Sequence, residues 1–177
     1  MFLKKYIYSI IFIFIFFCSF NYPEVKKIIR RDFKDNKYNS SDLYVAYLEI
    51  PKIGLKRGLY DVLSPLNNVD YEIAFLTDTE YPHDNSNTVI IGHSGIGKYA
   101  YFNDLKLLEL NDVIYFYYDN QKYEFIVSDI YLVDKNGYVD VYKEKDKMTL
   151  TLITCYLNDY QLVIIANKKD LYEVNPI

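Results

Sequence analysis

Cysteine is nearly missing from this chain. Of the two present among 177 residues, Cys18 lies in a hydrophobic N-terminal run, which leaves Cys155 as the one thiol of any folded domain that follows. Cys155 therefore has no internal disulfide partner there. Histidine is as scarce, with His83 and His93 alone. No C-x-x-C, no H-E-x-x-H and no mixed His and Cys cluster occurs, and two histidines ten residues apart make a poor zinc set. Arginine stops at Arg57. From residue 38 onward acidic residues outnumber basic ones 21 to 12, which excludes the Lys- and Arg-based neutralisation of phosphates on which nucleic-acid binding rests. Gly95-Ile96-Gly97-Lys98 lacks the outer glycine spacing and the Ser or Thr after Lys that a phosphate loop needs, so it reads as a turn. There is no internal repeat and no second long hydrophobic run toward the C-terminus.

What the chain has is aromatic, strand-forming sequence. With 21 Tyr, 11 Phe and 51% hydrophobic residues, a mostly β domain is expected, because aromatic and β-branched side chains pack well on pleated surfaces. Lys4 and Lys5 precede the apolar run from Tyr6 to Phe20, which is near the lower length limit for a spanning helix. The bulky residues from Cys18 to Tyr22 offer no small-x-small cleavage site, which favours an uncleaved transmembrane signal anchor over 1–22. Residues 23–42, basic at first and rich in Asn and Ser near their end, read as a stalk or linker, and 43–177 as the folded domain.

Within that domain Tyr44 to Ile50 and Leu55 to Tyr60 form two strands punctuated by Pro51 and Gly54. Ser64 followed by Pro65 is a helix-start signal and predicts a short helix over Leu66 to Phe75. Thr77 to Asn87 is loop, and His83 within it reads as a solvated loop residue. Val89-Ile90-Ile91 lead as a strand to His93, and Tyr99 to Lys106 read as a turn of helix. Val113 to Tyr118 and Gln121 to Val127 flank Asp119-Asn120 in a hairpin pattern whose second arm runs on to Val133. Val139 to Lys147 is a charged connection, followed by strands Met148 to Thr154 and Gln161 to Asn167. So many short strands with few helices predict a closed or nearly closed barrel, which removes exposed strand edges.

Cys155 and His93 each end an apolar run, so each sits where a buried strand emerges. A thiolate can attack a carbonyl, and an imidazole can favour that state, protonate a leaving amine and deprotonate an incoming nucleophile. Taken singly, a strand cysteine is more often a small core hydrophobe, and only the fold can unite two residues 62 positions apart.

Thr151-Leu152-Ile153-Thr154-Cys155 resembles the T-L-x-T-C signature of sortases, the membrane-anchored cysteine transpeptidases of Gram-positive bacteria. Asn87 to His93 is similar to the strand and G-H motif of that family, Phe102-Asn103-Asp104-Leu105 to its F-x-x-L segment, and Ile50-Pro51-Lys52-Ile53-Gly54-Leu55 to its first-hairpin motif. The resemblance runs from about Tyr44 to Asn167. It implies an eight-stranded sortase-type β-barrel in which Cys155 is the nucleophile and His93 its partner. Such an enzyme would cleave an LPXTG-like sorting signal, hold the product as a thioester and pass it to an amine, such as that of the lipid II cross-bridge. It also implies a single-pass membrane protein with its catalytic domain outside, whereas Lys26, Lys27, Arg30 and Arg31 after the apolar run would by the positive-inside rule alone retain the domain in the cytoplasm.

The chain departs from the family at one place. Sortases carry an arginine at the start of the last strand, and Gln161 occupies that position here. An amide can donate to a developing oxyanion but supplies no permanent charge and no forked donor. Either Gln161 substitutes directly, or a cation such as Arg57, Lys168 or Lys169 reaches in, or the barrel is a catalytically impaired peptide- or cell-wall-binding module. The absence of a recognisable lid and the short connection between the last two strands point to a compact, class A/D/E-like member. No cofactor is implied. Calcium activation occurs in some members, and Glu80, Asp84 and Glu124 single out no metal site.

Overall fold

The computed structural model describes residues 44–139 and 147–169, so the expected anchor over 1–22, the stalk over 23–42 and part of the charged connection lie outside the described residues. Eight strands, β1 (Tyr44–Ile50), β2 (Leu55–Tyr60), β3 (Ala74–Phe75), β4 (Asn87–Ile91), β5 (Val113–Tyr118), β6 (Gln121–Asp134), β7 (Thr149–Tyr156) and β8 (Tyr160–Lys168), form one sheet. Its order is β2-β1-β5-β6-β8-β7-β4-β3. The expected mostly β, nearly closed barrel is thereby borne out. Among the described residues no helix is long and apolar enough to cross a membrane.

Local chemistry explains most of the strand ends. Asp119 and Asn120 both take left-handed backbone, φ 49° and 57°, the geometry of a two-residue hairpin turn whose twist matches its arms, and β5 pairs with β6 from Tyr118↔Gln121 onward. Between β1 and β2 a single 3-10 turn, Pro51–Ile53, starts on the proline with its preset φ and ends at Gly54, whose φ of 62° suits glycine. Inward-facing Leu48, Ile50, Leu59, Ile90, Ile114, Phe116, Phe125, Leu150, Leu152 and Ile164 fill the barrel, with Phe102 and Leu105 plugging one end.

The helix expected over Leu66 to Phe75 does not form. Ser64 Oγ accepts from the Leu66 N–H at 3.2 Å and Asn68 Oδ1 from the Asp70 N–H at 2.9 Å, while Asn67 binds both the N–H and the carbonyl of Phe75. These side-chain bonds compete with a helical ladder, and they hold the segment as successive turns ending in the two-residue strand β3.

The two end strands, β2 and β3, are not neighbours in the hydrogen-bonded order, and side chains bridge the seam instead. Arg57 on β2 forms a forked pair with Glu72, just before β3, with Nε 2.7 Å from Oε1 and Nη2 bonded to Oε2. Glu72 is only 3% exposed, and the guanidinium lies 3.8 Å from the centre of the Tyr101 ring. Nearby, Tyr81 donates to Asp61 at 2.8 Å, and burial pushes its phenol up to about 12.

Removing one partner of a buried pair strands the other's charge, at a cost of roughly 3–5 kcal/mol. Arg57→Leu leaves the Glu72 carboxylate buried without its cation and is expected to lower stability by about that amount, read from the urea midpoint at unchanged m-value. A loss under about 1 kcal/mol, as for exposed pairs, would remove this pair from any role in closing the barrel.

Candidate active site

The one parallel pairing among the described strands builds the site. β4 lies beside β7 in the register Asn87↔Thr149 to Ile91↔Ile153, so both strands end at the same edge of the barrel. Alternation then sorts the side chains. Ile90, Leu150 and Leu152 face the core, while Val89, Ile153 and Val163 form a separate apolar cluster bordered by Leu76, Ile91, Tyr131 and Val133. Cys155, two residues beyond Ile153, continues that second face and is exposed.

Past the last strand pair, polar ties extend the register. The Gly92 N–H donates to the Ile153 carbonyl at 3.2 Å, the Thr154 hydroxyl donates to the Gly92 carbonyl at 2.8 Å, and the Ser94 hydroxyl donates to the Cys155 carbonyl. His93 is thus held between two residues whose backbone or side chain is bonded to the Cys155 segment. The other flank is fixed by Phe102, whose N–H donates to the His93 carbonyl at 2.9 Å. A Cβ on Gly92 would come within 2.7 Å of the Phe102 ring, so only glycine permits this approach. Asn103 clamps Gly95 by accepting from its N–H and donating to its carbonyl.

His93 Nε2 stands 3.8 Å from Asp70 Oδ1, and both side chains are about half exposed. Asp70 lies on the turn built by Asn68, far from any sequence motif. At that distance it is an ion-pair partner of a protonated imidazole rather than a hydrogen-bond acceptor. His83, by contrast, is exposed in its loop, with Nδ1 2.7 Å from the Asp84 carbonyl, as read from the sequence.

Gln161 pairs directly with Cys155 across β7 and β8. Residues opposite each other in a ladder share a face. Its Nε2 donates to the Lys135 carbonyl at 2.8 Å, which ties the end of β8 to the turn after β6. A carboxamide has two N–H donors, and Lys135 takes one.

The cations weighed as replacements for an arginine are engaged elsewhere. Arg57 is paired with Glu72 at the seam, Lys169 bonds Glu124 at 2.8 Å, and Lys168 lies 5.9 Å from the centre of the Tyr123 ring. A cation that sequence reasoning missed is Lys106, which lines a cavity of about 420 Å³ beside Cys155 together with Ser94, Asn103, Leu157 and Leu162. The 3-10 helix Asn103–Leu107 puts it there, since residues three apart eclipse: Phe102, Leu105 and Leu108 face the core, and Asn103 and Lys106 share the cavity side. Its position directly after the F-x-x-L segment was the available signal. Among the described residues no three His, Cys, Asp or Glu side chains come together to hold a metal ion.

Residues 48–169 match the model of the sortase domain. Sortase A from Corynebacterium diphtheriae, in a lid-mutant form, superposes with a TM-score of 0.65 at 24% identity, covering 75% of this chain and 74% of that one. Sortase C-1 from Actinomyces oris gives 0.66 at 24% identity over 73% of this chain and 74% of its own. Sortase C from Clostridium perfringens, solved with the C-terminal cell wall sorting motif, gives 0.64 at 26% identity over 72% and 71%. Curated protein sequences yield no match. A barrel whose parallel strand pair carries a G-H segment to the cysteine of T-L-x-T-C, matched over most of its length by the family's domain, has one assignment: the chain belongs to the sortase family.

Proposed function

We propose that this sortase is a cysteine transpeptidase that cleaves an LPXTG-like sorting signal, holds the acyl half as a thioester on Cys155 and transfers it to an amine of the cell wall. The observation that carries the proposal is the β4–β7 register with its polar ties, which binds the His93 segment to the Cys155 segment on both sides. Cys155 attacks the carbonyl of the signal's threonine, and the amine of the following residue departs as the C–N bond breaks. His93 protonates the departing amine and later takes a proton from the incoming one, a role suited to an imidazole. Asp70 orients the imidazolium that His93 forms whenever it carries this proton, before the first amine departs and after the second has attacked.

Gln161 is proposed to donate its second N–H to the oxyanion, with the first anchored on Lys135. Leu76, Ile91, Tyr131 and Val133, partly exposed over the buried Val89, Ile153 and Val163, give the face that carries Cys155 an apolar character that suits the aliphatic start of a sorting signal. Three residues, 157–159, connect β7 to β8, which supports a compact member rather than one with a large insertion there. The apolar run in 1–22 would anchor the enzyme in the membrane with its barrel outside, where such signals and wall amines meet.

The direct test is purified full-length protein with an LPXTG-type peptide and hydroxylamine. A hydroxamate should form, vanish in Cys155→Ala, and fall by roughly 10²-fold or more in His93→Ala, the usual contribution of acid–base catalysis. Equal inactivity of wild type and Cys155→Ala across a peptide library, with binding retained, would establish the silent binding module instead.

Because Gln161 already holds Lys135, Gln161→Arg is expected to leave turnover unchanged or reduce it. A gain approaching the roughly 10²- to 10³-fold contribution of an oxyanion donor would mark the position as a damaged arginine site. For topology, protease added to intact protoplasts should degrade the barrel. A protected barrel would rule out the cell-surface role.

A further inference from the structure

Two surfaces meet at Cys155 without sharing a residue of their linings. On one side lies an apolar face on which Leu76, Ile91, Tyr131 and Val133 stay partly exposed over the buried Val89, Ile153 and Val163. On the other, at the barrel end, is the cavity of about 420 Å³, with Phe102 and Leu162 at its base, Leu157 at its mouth and Lys106 on its wall. Acyl transfer needs two substrates at one sulfur, one after the other, and these surfaces differ in the chemistry they offer.

Lys106 gives the cavity its polarity. It is exposed, and among the described residues no Asp or Glu lines the cavity with it and none makes an ion pair, hydrogen bond or ring contact with its ammonium. Most other described lysines are engaged: Lys52 with Glu109 and Asp112, Lys56 with Glu49, Lys122 over Tyr115, Lys169 with Glu124. An unpaired cation beside the nucleophile repels a simple alkylammonium, so it is out of place for an acceptor that carries only an amine. It suits one that carries an anion as well. Leu157 adds a second sign of a contact surface. It takes φ 53°, a conformation bulky residues avoid, and is 72% exposed at the cavity mouth. That places an aliphatic side chain where a ligand's methylenes would pass.

We propose that this cavity receives the acceptor as a zwitterion: a primary amine whose carboxylate is bound by Lys106 and whose aliphatic stem lies against Leu157. This rests on the transpeptidase reading and names its second substrate class. The single positive charge matches a monoanionic carboxylate, and a dianionic phosphate would leave excess negative charge on an already acidic protein. In the transfer the amine nitrogen attacks the thioester carbonyl, the C–N bond forms as the C–S bond breaks, the sulfur leaves as the Cys155 thiolate, and the proton lost by the amine passes through His93 to that sulfur. No oxidant or further reactant is needed.

The test is acceptor competition on full-length enzyme with an LPXTG-type peptide as donor. Matched acceptors are glycine against glycinamide, 6-aminohexanoate against 6-aminohexanamide, and 2-aminoethyl phosphate, with hydroxylamine reporting thioester formation in every sample. At one of the two spacings the carboxylate should be preferred over its amide by about tenfold, the scale of one charge-assisted hydrogen bond. That ratio should collapse toward one in Lys106→Gln and be largely kept in Lys106→Arg. Hydroxamate formation with no carboxylate preference at either spacing, or a preference that survives Lys106→Gln, would overturn the proposal while leaving the transpeptidase reading intact. A Lys106-dependent preference for the phosphate over both carboxylates would overturn the carboxylate assignment, and absence of hydroxamate would overturn both readings together.

Discussion

The parallel contact between β4 and β7 is the constraint on which the site depends. Every other strand pair in the sheet is antiparallel. A parallel pair brings like ends together, so two strands far apart in sequence finish at the same rim, one offering a histidine and the other a cysteine. The hydrogen bonds of Gly92, Thr154 and Ser94 then carry the register past the point where strand geometry stops. This gives a physical reason for the second threonine of T-L-x-T-C. The Thr154 side chain faces inward, away from Cys155, and its hydroxyl holds the backbone beside His93.

The placement of charge follows from the same closure of the sheet. Arg57 closes the barrel seam against a buried carboxylate, so it is unavailable to Cys155. Gln161 stands opposite Cys155, yet part of its amide holds the turn at Lys135. The positive charge that does border the cysteine comes from a different element, the short 3-10 helix after the G-H segment, and it borders the cavity side rather than the apolar side. The apolar face and the cavity are thus separated by the strand end that carries the sulfur.

Features written in neighbouring residues were legible in the sequence. The Asp119-Asn120 turn, the strands from Tyr44 to Ile50 and from Val113 to Tyr118, and the apolar runs ending at His93 and Cys155 all depend on local backbone preference and burial. The segment from Leu66 to Phe75 was not, because the side chains of Ser64, Asn67 and Asn68 bond backbone groups and override the Ser-Pro start signal. Asp70 was invisible for another reason: nothing in its own neighbourhood refers to His93, and only the closed sheet brings it there, whereas the one sign of Lys106 was its place directly after Phe102-Asn103-Asp104-Leu105. The Arg57–Glu72 pair spans the one seam that strand hydrogen bonds leave open, a contact no periodicity encodes.

The claim that β4 and β7 deliver a working His–Cys pair is most directly tested by intact-mass spectrometry of the full-length protein mixed with an LPXTG-type peptide and no acceptor. An adduct equal to the acyl half of the peptide should appear on the fragment containing Cys155, be released by hydroxylamine, and be strongly diminished in His93→Ala. An adduct on another residue, or one that forms on Cys155 equally well without His93, would contradict it.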